Sequence, residues 1–209
     1  MPDQFNSPSL SISNIVHGRR NDTGRVEYML DPTGQDNSRF EIPEEIVLTR
    51  WRQRTHDAYV FGGMRLSPNI WRSIKIALGE DLPNIARLKA KEIDELYNGA
   101  AASLQLNGYK AVNGGNVLKL VHGLGVAKFD ALMNRHNNPD RSEIYGTPDL
   151  FIWALYTGIR QMKYVRFVEV KKPQEPLSED QKNELYYLNF DLNVKARVLR
   201  LREVPSSNR

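Results

Sequence analysis

The chain has 209 residues, of which 40% are hydrophobic, and this is enough for one sizeable domain or one domain with an appendage. The net charge of +4 is compatible with an anionic partner such as nucleic acid but does not require one. The absence of cysteine excludes disulfides, cysteine metal sites and thiol nucleophiles. No apolar run has the length of a membrane span and no secretory signal is visible, so we expect a cytoplasmic location and no membrane partner.

The N-terminal segment differs in composition from the remainder of the chain. Residues 1–40 are rich in Asn, Ser, Asp, Gly and Pro, which predicts an irregular arm or a linker with one short strand near 25–30. Residues 41–209 are predicted to form a single domain. Its helical part covers 41–145, and its β-rich core covers 146–204.

Several helices are predicted in the first half of this domain. The first runs from Pro43 to about residue 59, because proline fits a first turn and Glu44 and Glu45 suit the positive end of the helix dipole. Gly62 and Gly63 are then expected to break the chain. Further helices are predicted over about 68–78 and 83–97, and as two short helices between 117 and 133.

Two short segments near the C-terminus have a pattern of charged residues that is typical of a catalytic or metal-binding site. In the first, 146–153, a turn delivers Asp149 onto an apolar strand. In the second, 167–172, Glu169 and Lys171 lie two residues apart and therefore on one face of a strand. Buried charges are costly unless they are paired or bound to a metal, and two carboxylates suit Mg²⁺. The alternative is a Glu–Lys pair on a half-exposed edge strand, with Asp149 as a turn residue.

The last third of the chain predicts a small mixed sheet. Strands are expected over about 150–154, 164–171 and 195–201. Ser178 and Gln181 form a capping-box pattern that begins a helix reaching to about residue 190. Two strands, a helix and a third strand, behind several helices, predict a mixed α/β core with a small central sheet.

The order Pro-Asp then Glu-x-Lys resembles the PD-(D/E)xK nuclease superfamily. The wider pattern resembles its VRR-Nuc branch, which includes the nuclease domain of the Fanconi-associated nuclease and bacterial toxin domains. The resemblance is strong over 146–201 and weaker over about 115–146. It rests on Gly146-x-Pro148-Asp149, Phe167-Val168-Glu169-Val170-Lys171-x-Pro173 and Leu177-Ser178-x-x-Gln181, and Lys172 replaces a glycine that is usual in the family.

This resemblance implies a restriction-endonuclease-like α/β fold and a catalytic site for phosphodiester hydrolysis. By this resemblance Asp149, Glu169 and the carbonyl of Val170 hold one or two Mg²⁺ or Mn²⁺ ions. Lys171 positions the attacking water or screens charge. Gln181 faces the site, although a capping role is open to it as well.

The family also carries a further metal-proximal glutamate on its opening helix. Glu44 is the first candidate because of the helix face on which it is expected to lie, and Glu45 and Glu92 are the alternatives. Plain stabilisation of a helix end is the other reading of Glu44.

The function implied is a metal-dependent DNA endonuclease. A type VI-secreted antibacterial toxin restrained by an immunity protein is one setting, and a structure-selective repair or phage nuclease is another. A non-cleaving nucleic-acid-binding module is an alternative of a different class. The four histidines lack metal-ligand spacing, which disfavours histidine-based chemistry. A positive rim for phosphates is predicted from Arg135, Arg141, Lys171, Lys172, Arg197 and Arg200.

Overall fold

The computed structural model describes residues 10–13, 16–20, 26–29, 40–138, 146–159, 161–172 and 175–204. Its strands are β1 Leu10–Ser13, β2 Val16–Arg20, β3 Val26–Met29, β4 Phe40–Glu41, β5 Tyr59–Arg65, β6 Leu150–Tyr156, β7 Met162–Lys171 and β8 Ala196–Val204. Its α-helices are α1 Pro43–Arg52, α2 Ile70–Leu78, α3 Ala90–Gly99, α4 Ala101–Leu106, α5 Gly114–Leu124, α6 Val126–His136 and α7 Glu179–Tyr186. A 3₁₀ helix, Gly79–Arg87, follows α2, and a π-helical turn, Tyr187–Asp191, follows α7.

A five-stranded mixed sheet organises the domain, with the strand order β1-β8-β7-β6-β5. The pairs β5–β6 and β6–β7 are antiparallel, whereas β8 runs parallel to both β7 and β1. Because β6 and β7 are antiparallel, the start of β6 lies beside the end of β7. This register brings together the two segments that the sequence singled out.

Helices cover both faces of this sheet, as the alternation of buried side chains along β6 shows. Phe151 and Trp153 pack into a large core with the helices α2 to α7. Leu150 and Ile152 point to the opposite face, where they pack against Ile46 and its neighbours on α1. The predicted α/β fold class, with a mixed sheet flanked by helices, is therefore confirmed. No helix in the described part of the chain is long and apolar enough to cross a membrane.

The predicted chain break at Gly62 and Gly63 is wrong, because both glycines lie inside β5. A Cβ atom at Gly62 would lie 2.4 Å from Nε1 of Trp153. A Cβ atom at Gly63 would lie 2.6 Å from the side chain of Leu48. The two glycines thus let β5 approach β6 and α1 closely, and the sheet gains a strand that the sequence pattern did not reveal.

Other helix boundaries also differ from the predictions. The helix that begins at Pro43 ends at Arg52 rather than near residue 59, since Tyr59 already pairs with β6. The single helix predicted over 83–97 is a 3₁₀ helix followed by α3, with Leu88 in an extended conformation between them. Pro83 lies inside the 3₁₀ helix, where its missing N–H and its ring disfavour a regular α-helix.

The segment predicted as an irregular arm contains short strands among its described residues. The strand expected near 25–30 is found as β3, which pairs with β2 and β4 in a small antiparallel sheet. β1 extends the main sheet by pairing with residues 201–204 of β8. The backbone partners of β1 lie nearly two hundred residues away, so the local pattern contains no sign of that pairing.

Replacing Gly62 with alanine is expected to destabilise the fold by about 1–3 kcal/mol, because the new methyl group overlaps the buried Trp153 ring. Gly99 gives a matched control, since it lies in α3 with no atom within 4 Å of an added Cβ. Gly99→Ala should leave stability unchanged or raise it by a few tenths of a kcal/mol, roughly. Urea unfolding measures both changes, and equal stabilities of Gly62→Ala and the parent protein would contradict the packing argument.

Candidate active site

Asp149 lies where the start of β6 meets the end of β7. Its Oδ2 atom accepts a hydrogen bond of 2.7 Å from the backbone N–H of Val170, and its own carbonyl accepts one of 2.8 Å from Leu66. Gly146, at the start of the turn, packs closely against α7, because an added Cβ would lie 3.0 Å from the carbonyl oxygen of Asp180. The turn therefore packs against α7, and two hydrogen bonds hold Asp149 to β7 and to Leu66, the residue after β5.

Glu169 and Lys171 are both buried at the end of β7, with 2% and 4% of their surfaces exposed. The Nζ atom of Lys171 lies 3.2 Å from Oε1 of Glu169 and 3.3 Å from Oε1 of Glu175. Sequence reasoning missed Glu175, which also accepts a hydrogen bond from the N–H of Lys172. Glu175 follows β7 in a loop, where no spacing rule relates a side chain to its neighbours, so the sequence holds no signal for it.

Gln181 fills both of the roles that the sequence left open. Its backbone N–H donates to the hydroxyl of Ser178, and its side-chain carbonyl accepts from the Ser178 N–H at 3.0 Å. Its side-chain N–H donates a short hydrogen bond to Oε1 of Glu169. An amide has an acceptor end and a donor end, so the capping box and the contact with the site coexist.

The two carboxyl groups lie in an environment that disfavours their charge. Burial raises the pKa of Glu169 to about 8, and the charge of Asp149 adds to the rise while Lys171 opposes it. Burial likewise raises the pKa of Asp149 to about 6, against the hydrogen bond from Val170. The charge of Glu44 contributes to the raised pKa of Asp149. A pair of buried acids that repel one another is an electrostatic setting for a bound cation.

These groups line one cleft of about 770 Å³. Glu44 lines it from the start of α1, whereas the two alternatives for the further glutamate lie elsewhere. Glu45 forms an ion pair with Arg65 at 3.7 Å, and Glu92 caps α3 by accepting from the N–H of Lys89 at 2.6 Å. The geometry therefore favours Glu44 of the three. The charged and amide groups that line the cleft are Glu44, Arg65, Asn69, Lys110, Asp149, Glu169, Lys171, Lys172, Glu175 and Gln181.

Comparison with known families bears on the same part of the chain. Residues 127–203 match the family model of the VRR-NUC domain. Over these residues the chain is similar to a VRR-NUC nuclease domain. The matched region contains Asp149, Glu169, Lys171 and Gln181, and the resemblance inferred from the sequence is confirmed.

Solved structures resemble the fold over nearly the whole chain. A crystal structure of paFAN1 bound to 2nt 5′flap DNA with gap has a TM-score of 0.53 and 13% sequence identity, covering 96% of this chain and 38% of that chain. A second structure, paFAN1 bound to 1nt 5′flap DNA with gap, has a TM-score of 0.47 and 13% identity, with 95% and 38% covered. This chain thus covers 38% of the paFAN1 chains. At 13% identity the first of these likenesses concerns the fold alone. No curated protein matches the sequence.

The carboxylates that line the cleft can supply some of the ligands of a hard divalent cation. Among the described residues, no three Asp, Glu or His side chains are grouped as a complete metal site. Mg²⁺, however, is usually held by one or two carboxylates, with waters and substrate phosphate as its other ligands. Asp149 and Glu169 supply that pair, and the repulsion between them would be relieved by a cation. The residues therefore fit such an ion.

The positive rim predicted from the sequence is found in part. Lys171 and Lys172 line the carboxylate cleft, together with Arg65 and Lys110, which the sequence did not single out. Arg135 instead bonds to the buried Glu184 at 2.9 Å. The remaining members behave differently: Arg200 donates to the carbonyl of Glu175, Arg197 does not line the cleft, and Arg141 lies outside the described residues.

A buried ion cluster anchors α7, the helix that carries Gln181. Glu184 accepts from Arg135 at 2.9 Å and bonds to His136 at 2.8 Å, and the His136 ring stacks on Trp71. Burial by itself would raise the pKa of Glu184, but the hydrogen bond and charge of His136 and the charge of Arg135 outweigh it and lower the pKa to about 2. The cluster therefore ties α6 and α2 to the helix behind the site.

Replacing Glu184 with glutamine is expected to cost about 2–4 kcal/mol of unfolding free energy at neutral pH, because it removes the shared anion of a buried cluster. The pKa of Glu184 is lowered from 4.5 to about 2. Its contribution is therefore complete above the unfolded value and is lost as the pH falls through the folded value. Urea unfolding at several pH values should show that the difference in unfolding free energy between Glu184→Gln and the parent protein disappears in acid. The exposed Glu179→Gln is the control, and a gap that persists unchanged below pH 2 would contradict this account.

Proposed function

We propose that this chain is a metal-dependent nuclease that hydrolyses phosphodiester bonds in DNA. One observation carries the proposal. A buried carboxylate pair, Asp149 and Glu169, shares a cleft with a buried lysine, and all three lie in the region that matches the VRR-NUC model. That combination suits phosphodiester hydrolysis better than it suits a structural ion pair, because the two carboxylates repel one another when no metal ion is bound between them.

Asp149, Glu169 and the backbone carbonyl of Val170 would hold Mg²⁺ or Mn²⁺, with Glu44 assisting from α1. An ion held there supplies Lewis-acid activation of water and neutralises charge on the phosphate. The protein fixes the carboxylates in advance. Val170 holds Asp149, and Gln181 holds Glu169, so neither side chain has to reorganise when the substrate arrives.

Lys171 supplies the positively charged side chain of the proposed site, in addition to the metal ion. Its ammonium group lies between Glu169 and Glu175, and in the proposed site it would stand beside the attacking water and the phosphate. There it orients the water or screens the charge that develops on the phosphate. Arg65 and Lys110, which also line the cleft, would bind the phosphates that flank the cut bond.

The test is incubation of the purified protein with supercoiled, linear and flapped DNA, with Mg²⁺, with Mn²⁺ or with EDTA. We expect nicking or linearisation with at least one metal and none in EDTA. A protein that binds DNA but leaves every substrate intact with both metals would instead be a non-cleaving binding module. Preference for flapped over linear DNA would favour a structure-selective repair enzyme.

For the biological setting we propose an antibacterial DNase that acts in the cytoplasm of a target cell and is restrained by an immunity protein covering the cleft. The VRR-Nuc branch that the sequence resembles includes bacterial toxin domains as well as repair and phage nucleases, so the resemblance allows this setting. Expression in bacteria should cause DNA damage and growth arrest that disappear in the Asp149→Ala variant. Harmless expression of the active enzyme at high level would count against a toxin and favour a repair or phage nuclease.

A further inference from the structure

Helix α1 ends before the end of the sheet face on which it packs. Leu150 and Ile152 lie on this face and are buried in the cluster that α1 covers, whereas the last residue of α1 is Arg52. Around and beyond the end of α1, five aromatic side chains lie on the same face, and each of them is half-buried. We call them the aromatic edge: Trp51, Tyr59, Phe61, Tyr156 and Tyr164.

The strand register brings the rings of the aromatic edge together. Alternate residues of β6 point to the α1 face, and Tyr156 is one of them. Tyr59 lies opposite Tyr156, and their ring centres are 5.3 Å apart. Phe61 and Tyr164 lie opposite the same residue of β6, one on each side of it. Trp51 joins them from α1, with its ring centre 5.0 Å from that of Phe61 and 6.0 Å from that of Tyr164.

Cations lie beside the aromatic edge. The guanidinium of Arg54 is 5.1 Å from the ring centre of Trp51 and 5.5 Å from that of Phe61. The ammonium of Lys163 is 5.3 Å from the ring centre of Tyr156. In the described part of the chain, neither Arg54 nor Lys163 forms an ion pair. The described residues therefore leave both charges without a carboxylate partner.

Arg166 adds a third positive charge to the same face. It lies opposite Ile152 in the β6–β7 pair and therefore points to the α1 side of the sheet. Burial raises the pKa of Tyr164, and the charges of Arg166 and Arg54 oppose this rise, so both cations lie near the Tyr164 side chain. The Nε atom of Arg166 is buried with no hydrogen-bond partner among the described residues. This face therefore combines aromatic rings with positive charge that the described residues do not neutralise.

Strand β5 connects the aromatic edge to the carboxylate cleft. Arg65, which lines the cleft, is at one end of β5, and every second residue before it points to the same face. At Gly63 the backbone carbonyl accepts a hydrogen bond of 2.7 Å from Arg52. At Phe61 the ring lies beside Arg54. Each of these steps along β5 is about 7 Å. The cations are therefore spaced to follow the phosphates of an extended single strand.

We propose that the aromatic edge binds an unpaired stretch of the DNA strand that leaves the cleft, an inference that rests on the proposed nuclease function. Proteins hold single-stranded nucleic acid with cations along its backbone and with aromatic rings on which its bases stack. The bases of a duplex already stack on one another, so half-exposed rings favour a strand that is unpaired. The edge therefore selects DNA with a single-stranded arm, and the scissile phosphate belongs to the carboxylate cleft.

Two variants test this proposal by fluorescence anisotropy with a labelled oligothymidine in EDTA. Arg54→Ala/Lys163→Ala removes two exposed cations and should weaken binding roughly tenfold. The slope of log K against log salt should fall by about 1.4, the value for two lost phosphate contacts of a single strand. Tyr59→Leu removes a stacking surface but keeps an apolar side chain, and it should weaken binding by about tenfold. A blunt duplex of the same length should bind both variants as it binds the parent protein.

Each variant has a matched control that should bind oligothymidine as the parent protein does. Lys75→Ala/Lys91→Ala removes two exposed lysines from α2 and α3, and Tyr186→Leu removes a ring that is 51% exposed on α7. Thermal unfolding checks the fold of every variant, and the exposed cation pair decides alone if Tyr59→Leu unfolds. Because binding is measured without metal, an uncleaved substrate would refute the nuclease and leave this test intact.

Three results would overturn the proposal. The first is an unchanged affinity and salt slope for oligothymidine in the variants of the aromatic edge. The second is an equal loss of affinity for oligothymidine and duplex, which would make the edge a general positive surface. The third is a dimer of the parent protein, seen by light scattering, that Tyr59→Leu abolishes while oligothymidine affinity is unchanged. That result would make the edge an interface between copies of this chain.

Discussion

Replacing Asp149 with asparagine is expected to abolish DNA cleavage and, at the same time, to stabilise the metal-free protein at pH 8. Asparagine keeps the hydrogen bond that Asp149 accepts from Val170, so the turn and the strand ends stay in place. It removes one of two buried negative charges, which are costly where no cation lies between them. Loss of function with a gain in stability separates a site strained for chemistry from an ordinary ion pair.

The pKa values determine whether the substitution stabilises or destabilises the protein. On folding, the pKa of Glu169 rises from 4.5 to about 8 and that of Asp149 rises from 3.8 to about 6. The folded state therefore holds more protons than the unfolded state between these pH values. The stability of the metal-free parent protein therefore falls as the pH rises from about 4 to 8. Asp149→Asn should be more stable by about 1–3 kcal/mol at pH 8, and this difference should disappear below about pH 4.

Thermal or urea unfolding in EDTA at several pH values measures this effect, and a plasmid assay with Mg²⁺ or Mn²⁺ measures cleavage. The exposed Asp57→Asn is the matched control and should change neither property. An Asp149→Asn protein that cleaves DNA at the parent rate would remove Asp149 from the site. One that is less stable than the parent at pH 8 would show that Asp149 has a structural role instead.

Replacing Lys171 with methionine is expected to lower the cleavage rate by about 10²–10⁴-fold, the usual effect of removing a positioned acid–base group. Methionine fills much of the space of the lysine stem, so the end of β7 should remain packed. The change leaves Glu169 and Glu175 without their shared cation, and the loss of that charge raises the pKa of Glu169 further. Binding of DNA should be affected far less than turnover.

Measuring the single-turnover cleavage rate and the DNA affinity of the same variant separates the effect on turnover from the effect on binding. Lys182→Ala is the control, because Lys182 pairs with Glu179 on the exposed side of α7. If the Lys171→Met protein folds, binds DNA and cuts at the parent rate, lysine has no part in the mechanism. If instead the affinity falls as much as the rate, Lys171 serves to hold the substrate.

Local patterns in the sequence predicted much of the site. A strand alternates its side chains with a period of two, so Glu169 and Lys171 had to share a face. Ser178 and Gln181 have the spacing of a capping box, and the structure forms that box at the start of α7. Such features depend on residues close in sequence, and for this reason composition and spacing were enough to find them.

Features that depend on distant parts of the chain were missed. β5 contains two glycines that are typical of a break, yet they are required by the close approach of Trp153 and Leu48. Glu175 enters the site from a loop, where no periodicity directs its side chain.

By itself, then, the sequence determined which chemical groups this protein offers and which of them share a local element. The tertiary structure decided that the start of β6 meets the end of β7, which places Asp149 beside Val170. It also placed Glu44, rather than Glu45 or Glu92, on the cleft. The physical reason is that facing within one strand or helix follows from backbone geometry, whereas the choice among distant partners follows from how the whole core packs.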